Sequence, residues 1–112
     1  MKIFLVGCGR ILQKHLDSIK ILNDKLKIVG ISDLNKKKLL VNSKKLNVKG
    51  FFDYKKGIIK TNPDIVSILT PSGNHAENIL DILKLKKNII VEKPMCLKIS
   101  DGKKIINLAK KK

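Results

Sequence analysis

The most informative segment of the chain lies near its start and reads Ile3-Phe4-Leu5-Val6-Gly7-Cys8-Gly9-Arg10-Ile11. Its apolar half is short and ends at a glycine, which is typical of a buried strand in a parallel sheet. Gly7 allows a tight turn after that strand, and Gly9 lets a phosphate group approach the backbone because it has no Cβ. The amides of Arg10 and Ile11 would then point at the phosphate from the start of a helix. The stretch therefore predicts a strand, a phosphate-binding turn and a helix.

An acidic residue stands where a dinucleotide-binding fold needs one. Asp33 follows a second apolar run, Lys27 to Ser32, and lies 24 residues after Gly9. An acid at this distance accepts hydrogen bonds from the adenosine ribose hydroxyls and repels a 2′-phosphate, which favours NAD over NADP. The lysines from Lys36 to Lys38 would weaken that repulsion. The sequence therefore predicts NAD as the cofactor, with NADP as the alternative.

Strands and helices alternate along the rest of the chain. The predicted elements are a helix from Ile11 to about Asn23, strands over Lys27 to Ser32 and Val48 to Phe52, a helix over Lys36 to Leu46, a helix or turn over Asp53 to Thr61 interrupted by Gly57, a strand over Asp64 to Leu69, a helix opened by a capping box from Asn74 to Glu77, a strand over Asn88 to Val91, and a last helix capped by Ser100. This alternation predicts a Rossmann-type, doubly wound parallel α/β sheet of about five strands in order 3-2-1-4-5. One dinucleotide-binding domain over residues 1–112 is expected, with its ligand site at the carboxyl ends of strands one and four.

The charge of the chain does not indicate nucleic-acid binding, although the formal net charge is +16. The basic residues are 24 lysines and one arginine, and only four residues are aromatic. Nucleic-acid readers favour arginine forks and stacking rings, so the lysines, including Lys110-Lys111-Lys112, are interpreted as a solvated coat. No apolar run reaches the roughly 20 residues of a membrane helix. Cys8 and Cys96 match no metal site and suit a reducing compartment, so we predict a cytoplasmic protein without a membrane, metal or nucleic-acid partner.

Polar residues follow the fourth predicted strand, beside the first turn. The backbone of the segment Thr70 to His75 is expected to lie against the nicotinamide half of the cofactor. Thr70, Pro71 and Asn74 are therefore candidate cofactor contacts. His75 stands at the start of the next helix and is a candidate polar contact, with a capping or packing role as the alternative.

The tripeptide Glu92-Lys93-Pro94 follows the fifth predicted strand. A lysine held near the reactive end of the cofactor can hydrogen-bond a substrate alcohol and help its proton to leave. Glu92 could accept a hydrogen bond from the nicotinamide ribose or pair with Lys93. We therefore predict Lys93 as the catalytic residue, and Glu92, Lys93 and Pro94 as cofactor contacts.

These motifs together resemble, in order and spacing, the amino-terminal NAD(P)-binding domain of the glucose–fructose oxidoreductase / inositol dehydrogenase (Gfo/Idh/MocA) family. They are nearest to members that oxidise the 3-hydroxyl of UDP-linked N-acetylated sugar acids. The resemblance implies an oxidoreductase that dehydrogenates a sugar, cyclitol or UDP-sugar alcohol by hydride transfer to the nicotinamide. It also implies that Lys93 contacts the substrate and the nicotinamide ribose, and that the Lys93-Pro94 bond is cis.

The chain departs from this family pattern in two ways. Leu12 occupies the place of the third small residue of the glycine pattern, so it must push the helix outward or be accommodated by its neighbours. Family members are also about three times as long, and their carboxy-terminal substrate domain is expected to be absent here. The leading hypothesis is a truncated or split enzyme that is not competent alone, to which a separate chain could supply the missing domain. A stand-alone NAD-binding module and a basic nucleic-acid-binding protein are the alternatives.

Overall fold

Strands and helices alternate along the described part of the chain. The computed structural model describes residues 1–111, and Lys112 of the terminal lysine run lies outside them. The elements are β1 (Lys2–Val6), α1 (Leu12–Leu22), β2 (Lys27–Ser32), α2 (Lys36–Leu46), β3 (Gly50–Phe51), α3 (Tyr54–Thr61), β4 (Ile65–Ile68), α4 (His75–Lys84), β5 (Asn88–Val91) and α5 (Ile99–Lys110), with short 3₁₀ turns at Asn23–Lys25 and Ser72–Asn74. No helix formed by residues 1–111 combines the length and apolar character that a bilayer crossing would need.

The five strands form one parallel sheet in the order β3-β2-β1-β4-β5, which confirms the predicted topology. The central strand β1 is buried on both faces because its side chains alternate between the two faces and helices cover both. Ile3 and Leu5 pack with α1 and α2 on one face, whereas Phe4 and Val6 pack with α3, α4 and α5 on the other. This arrangement brings the ends of β1, β2 and β4 together at the carboxyl edge of the sheet.

The region around α3 differs from its prediction. The strand β3 covers only Gly50–Phe51, because it pairs with just the last two residues of β2. The helix α3 is continuous rather than interrupted at Gly57, and the Asp53 carboxylate caps it by accepting hydrogen bonds from two backbone amides. A Cβ at Gly57 would lie 2.6 Å from the Phe4 ring, so this glycine serves packing against the sheet.

The two predicted side-chain caps are wrong. The 3₁₀ turn Ser72–Asn74 runs directly into α4, so Asn74 has φ −98° and ψ −11° and its side chain makes no capping hydrogen bond. An N-cap side chain needs the extended backbone that this turn removes. Ser100 lies inside α5, where Lys98 occupies the cap position without a side-chain hydrogen bond.

Candidate functional site

A cavity of about 440 Å³ lies at the carboxyl edge of the sheet, between the ends of β1, β2 and β4. The predicted site residues that line it are Gly7, Gly9, Asp33, Thr70, Pro71 and Asn74. Arg10, Ile11, His75, Glu92, Lys93 and Pro94 do not line the cavity. Arg10 and Ile11 stand immediately before α1, and the other four lie towards the β5 side of the sheet.

The glycine turn, residues 7–11, is held by backbone hydrogen bonds. The Gly7 amide donates to the Ser32 carbonyl at 2.7 Å, which ties the turn to β2. Gly7 has φ +105°, and a Cβ there would lie 2.9 Å from the Leu69 carbonyl carbon. Glycine at position 7 is therefore required by the protein itself, for both its conformation and its contact with the end of β4.

Gly9 differs from Gly7, because nothing in the protein requires glycine there. Its φ is not in the left-handed region, and a Cβ would approach only the Leu69 carbonyl oxygen, at 3.9 Å. Gly9 is exposed and lines the cavity. The space beside its backbone is therefore available to a bound group, which is what the glycine pattern predicts for a pyrophosphate.

Leu12 is accommodated by its surroundings. It is the first residue of α1, is 4% exposed and packs in the apolar cluster formed with Ile3, Leu5 and Leu16. Its amide donates to the Gly9 carbonyl at 3.2 Å, so the turn still closes directly onto the helix.

Both oxygens of the Asp33 carboxylate hold backbone amides. Oδ2 accepts from Cys8 at 2.7 Å and Oδ1 accepts from Asn35 at 2.7 Å, so this side chain joins the glycine turn to the loop after β2. Each oxygen keeps a second lone-pair site, which a ribose hydroxyl could use. Burial, together with the Asp33 carboxylate, raises the pKa of the Cys8 thiol to about 12, which makes the thiol chemically inert at neutral pH.

Two exposed apolar side chains line the cavity but were not among the predicted site residues. Leu34 directly follows Asp33 and is 84% exposed, and Phe52 directly follows β3 and is 53% exposed. Pro71 after β4 also lines the cavity. The available signal was positional, because each of these apolar residues lies just beyond the carboxyl end of a strand, where such folds bind ligands.

The opposite wall of the cavity is polar. The Thr70 hydroxyl donates to Asn78 Oδ1 at 2.6 Å, and the Tyr54 hydroxyl donates to the Asp81 carboxylate at 2.7 Å. Burial and the hydrogen bond to Asp81 raise the pKa of Tyr54 to about 12. The Ser32 hydroxyl, also in the lining residues, is buried and has no hydrogen-bond partner within residues 1–111. These groups leave the cavity with an apolar rim and a polar wall.

The Lys93 segment, residues 92–94, lies beyond β5. Lys93 is exposed, and the Lys93-Pro94 bond is cis. The Glu92 carboxylate lies 2.5 Å from Nε2 of His15 on α1. Sequence reasoning missed His15, although it is one of only two histidines and follows Ile11 by one helical turn.

His75 is not directed at the cavity. It is 2% exposed, with Nδ1 2.7 Å from the Pro94 carbonyl and Nε2 2.8 Å from the Thr70 carbonyl. Because both partners are acceptors, both contacts are hydrogen bonds only when both ring nitrogens carry a proton. His75 thus joins the loop after β4 to the Lys93 segment. No group of three metal-ligating side chains occurs in the part of the chain that the structure describes.

Comparison with known proteins identifies what the chain is similar to. The model of the Gfo/Idh/MocA oxidoreductase family, described as an NAD-binding Rossmann fold, matches residues 1–112. Myo-inositol 2-dehydrogenase of Thermotoga maritima is 31% identical over 112 residues, which are 99% of this chain and 33% of that protein. The chain therefore spans about a third of the length of this relative.

Solved structures with the same fold as this chain include two dehydrogenases. The WlbA dehydrogenase of Bordetella pertussis, in complex with NADH and UDP-GlcNAcA, superposes with a TM-score of 0.94 at 27% identity, over 99% of this chain and 33% of that one. A probable dehydrogenase of Thermotoga maritima superposes with a TM-score of 0.91 at 30% identity, with the same coverage.

Proposed function

We propose a function from the family of the chain, which belongs to the Gfo/Idh/MocA oxidoreductases as an NAD-binding Rossmann domain. The cavity would hold the adenosine half of NAD, and Lys93 would act on the substrate beside the nicotinamide end. The proposed substrate is an alcohol group of a sugar, a cyclitol or a UDP-sugar, by analogy with the inositol dehydrogenase and the UDP-GlcNAcA complex. Since the chain spans about a third of these relatives, we propose that turnover needs further polypeptide.

The single observation that carries NAD binding is the room beside Gly9. A Cβ there would meet no protein atom closer than 3.9 Å, so the fold does not require glycine at this position and the space is open to a bound group. The start of α1 directly follows, and the positive end of a helix favours a phosphate. The residues present therefore fit a pyrophosphate that crosses the glycine turn.

The adenosine end fits the side of the cavity near β2 and β3. The Asp33 carboxylate would accept a ribose hydroxyl with its remaining lone pairs, and the adenine ring would lie against the exposed side chains of Leu34 and Phe52. Lys38 on α2 also lines the cavity and would partly offset the repulsion between Asp33 and a 2′-phosphate. We therefore propose that NAD is preferred and that NADP binds more weakly.

The nicotinamide end fits the Lys93 segment. When bound, the nicotinamide ring supplies the hydride acceptor. The exposed Nζ of Lys93 would hydrogen-bond the substrate hydroxyl and assist the loss of its proton, while the Glu92 carboxylate would accept from the nicotinamide ribose. The exposure of Lys93 leaves its side chain accessible to a substrate from solvent.

Calorimetric titration of the chain with NAD and NADP tests the cofactor site. We expect saturable NAD binding in moderate salt, and Gly9→Ala should weaken it at least tenfold, because the added methyl group occupies the space of the pyrophosphate. The melting temperature of Gly9→Ala should equal that of the parent chain. Asn107→Ala is the control, since Asn107 is exposed on α5 and does not line the cavity. Equal NAD affinity of Gly9→Ala and the parent chain would refute the site.

We further propose that the additional polypeptide docks beside β5, either as a separate chain or as a continuation of this one. β5 pairs only with β4 among the described strands, which leaves one edge unpaired. A groove of about 440 Å³ next to it is lined by apolar side chains, among them Ile89, Val91 and Met95. Leu97 and Ile99, which follow the Lys93 segment, are exposed. A surface of this kind is typical of an interface.

Complementation tests this part of the proposal. A second polypeptide with the sequence of the remaining two thirds of a relative should yield NAD-dependent oxidation of a sugar alcohol when it is mixed with this chain. Lys93→Ala should abolish turnover and leave NAD bound. A stand-alone binding module would instead bind NAD and remain inactive with every partner and every sugar.

We also propose a cytoplasmic location. Cys8 and Cys96 are both free, as is usual in a reducing compartment. Fractionation of the native cells with an antibody to the chain tests this location.

A further inference from the structure

The position of Lys93 is not set by contacts of its own side chain. Lys93 is exposed, and none of the ion pairs within residues 1–111 involves it. A reactive group must nevertheless be held within a fraction of an ångström of its working position. The restraint must therefore come from residues that hold the segment on either side of Lys93.

The first restraint acts on Glu92, directly before Lys93. Nε2 of His15 contacts Oε1 of Glu92 at 2.5 Å, across 77 residues of sequence. The two side chains are only 21% and 32% exposed, so the contact is partly shielded from water. His15 lies in the first turn of α1, and its amide donates to the carbonyl of Ile11 in the glycine turn. The contact therefore couples the phosphate-binding turn to the Lys93 segment.

The second restraint acts on Pro94, directly after Lys93. Nδ1 of His75 lies 2.7 Å from the Pro94 carbonyl oxygen, while Nε2 lies 2.8 Å from the Thr70 carbonyl at the cavity. His75 is buried at the start of α4, so its ring has little freedom to move. This contact couples the loop after β4 to the same segment.

We propose that His15 and His75, the only histidines of the chain, are positioning residues that together orient Glu92 and Lys93 toward the nicotinamide end of the bound cofactor. They come from two helices and hold the residues on both sides of Lys93. His15 acts through the Glu92 carboxylate, and His75 acts through the backbone of Pro94. The inference rests on the proposed NAD site, because it assigns these histidines to the nicotinamide half of that site.

A comparison of two ligands tests the role of His15. NAD and ADP share the adenosine and both phosphates, but only NAD carries the nicotinamide riboside. His15→Ala should weaken NAD about tenfold, because Glu92 loses a charge-assisted partner, and should change ADP affinity less than twofold. His15→Gln keeps an N–H donor for Glu92 and should restore most of the NAD affinity. Gln13→Ala, an exposed position on the same helix, is the matched control and should leave both affinities unchanged.

The outcomes separate this inference from the proposed function. Parent chain that binds neither ligand would overturn the NAD site and the histidine assignment with it. Parent chain that binds NAD no more tightly than ADP would overturn the histidine assignment alone. Equal losses for NAD and ADP in His15→Ala would also overturn it, because they indicate a merely structural role, and so would unchanged affinity for both ligands.

The role of His75 needs a local measurement, because replacing a buried side chain also lowers global stability. Hydrogen exchange of the Glu92 amide, which donates to the Ile68 carbonyl at 3.4 Å, should accelerate about tenfold in His75→Gln under native conditions, because one restraint on the segment is lost. The amides of α2, which lies on the other face of the sheet, should exchange at the parent rate. Equal acceleration in both places, or no acceleration at Glu92, would contradict the assignment.

Discussion

The glycine turn and the Lys93 segment lie at the same edge of the sheet but are held by different means. The turn is held by its backbone, with the Gly7 amide bonded to β2 and the Cys8 amide bonded to the Asp33 carboxylate. The Lys93 segment is held by the side chains of His15 and His75. The Gly7 backbone contact cannot be changed without straining the fold, whereas side-chain restraints can be removed one at a time. Fold and binding are therefore coupled at Gly7, whereas at Gly9 and at the Lys93 segment binding can be lost while the fold is kept.

Gly7→Ala should have the largest effect, because it disturbs the glycine turn, which is held through its backbone. With φ +105° and a Cβ 2.9 Å from the Leu69 backbone, alanine forces either strain or movement of the end of β4. We expect a loss of about 2–4 kcal/mol in the free energy of unfolding and no detectable NAD binding. Urea unfolding followed by circular dichroism measures the first effect. Gly73→Ala should unfold within about 0.5 kcal/mol of the parent chain, and parental stability of Gly7→Ala would contradict the requirement for glycine.

The two cysteines allow a direct comparison of the two regions, because Cys8 lies in the glycine turn and Cys96 lies just after the Lys93 segment. Burial, with the Asp33 carboxylate, raises the pKa of Cys8 from 9.0 to about 12, whereas Cys96 is half-buried. At pH 8 the thiolate fraction of Cys8 should be roughly a thousandfold lower than that of an ordinary thiol. Mass spectrometry after brief alkylation should find the label on Cys96. Labelling of both residues at similar rates in the folded chain would mean that the turn opens readily.

The single tyrosine reports on the cavity wall. Burial, aided by the hydrogen bond to Asp81, raises the pKa of Tyr54 from 10.0 to about 12. The stabilisation linked to this shift is complete below pH 10 and is lost as the pH rises from 10 to about 12, because the folded state binds the phenol proton more tightly than the unfolded state. The near-ultraviolet absorbance of tyrosinate gives the midpoint. Asp81→Asn should lower that midpoint, and a midpoint of about 10 in the folded parent would contradict the buried position.

Asp33→Asn should have the smallest effect, and it tests how much a side chain contributes to holding the glycine turn. The amide keeps the shape of the side chain, but its NH2 group cannot accept, so either the Cys8 or the Asn35 amide loses its acceptor along with the negative charge. We expect NAD to bind about tenfold more weakly, and NADP to be affected less because the repulsion of its 2′-phosphate is removed. Competitive titration with both dinucleotides measures the change. Asp24→Asn removes the same charge from the loop before β2 and should leave both affinities unchanged.

Much of the fold was predictable because its signals are local. The family, the strand order, NAD as cofactor and the bounds of β2, α2 and β5 were predicted correctly. Periodicity of apolar residues within one segment is sufficient for the bounds of the elements, whereas the cofactor was predicted from the glycine turn and Asp33, and the family from the resemblance of the combined motifs. The role of Gly57 was not predictable in this way. It depends on the ring of Phe4, far away in sequence, and a local pattern cannot distinguish a packing glycine from a helix break.

The same distinction between local signals and contacts of distant residues applies to the candidate site. The motifs identified Gly7, Gly9 and Asp33, which line one cavity. The apolar rim of Leu34 and Phe52 was missed, because a single exposed apolar residue carries no signal until neighbouring strand ends meet. The assignments of individual residues to NAD and substrate stay predictions, with the experiments above as their tests.

The order of strands and helices and the chemistry of the glycine turn follow from residue types at short, regular spacings, and the family follows from the resemblance of the motifs. The tertiary fold, in contrast, sets the hydrogen bond between Asp33 and the Cys8 amide and the contact of His15 with Glu92, 77 residues away. Such contacts arise because parallel strands bring distant segments to one edge of the sheet. Which side chains meet there depends on how each helix packs on the sheet, and no local pattern in the chain encodes that packing.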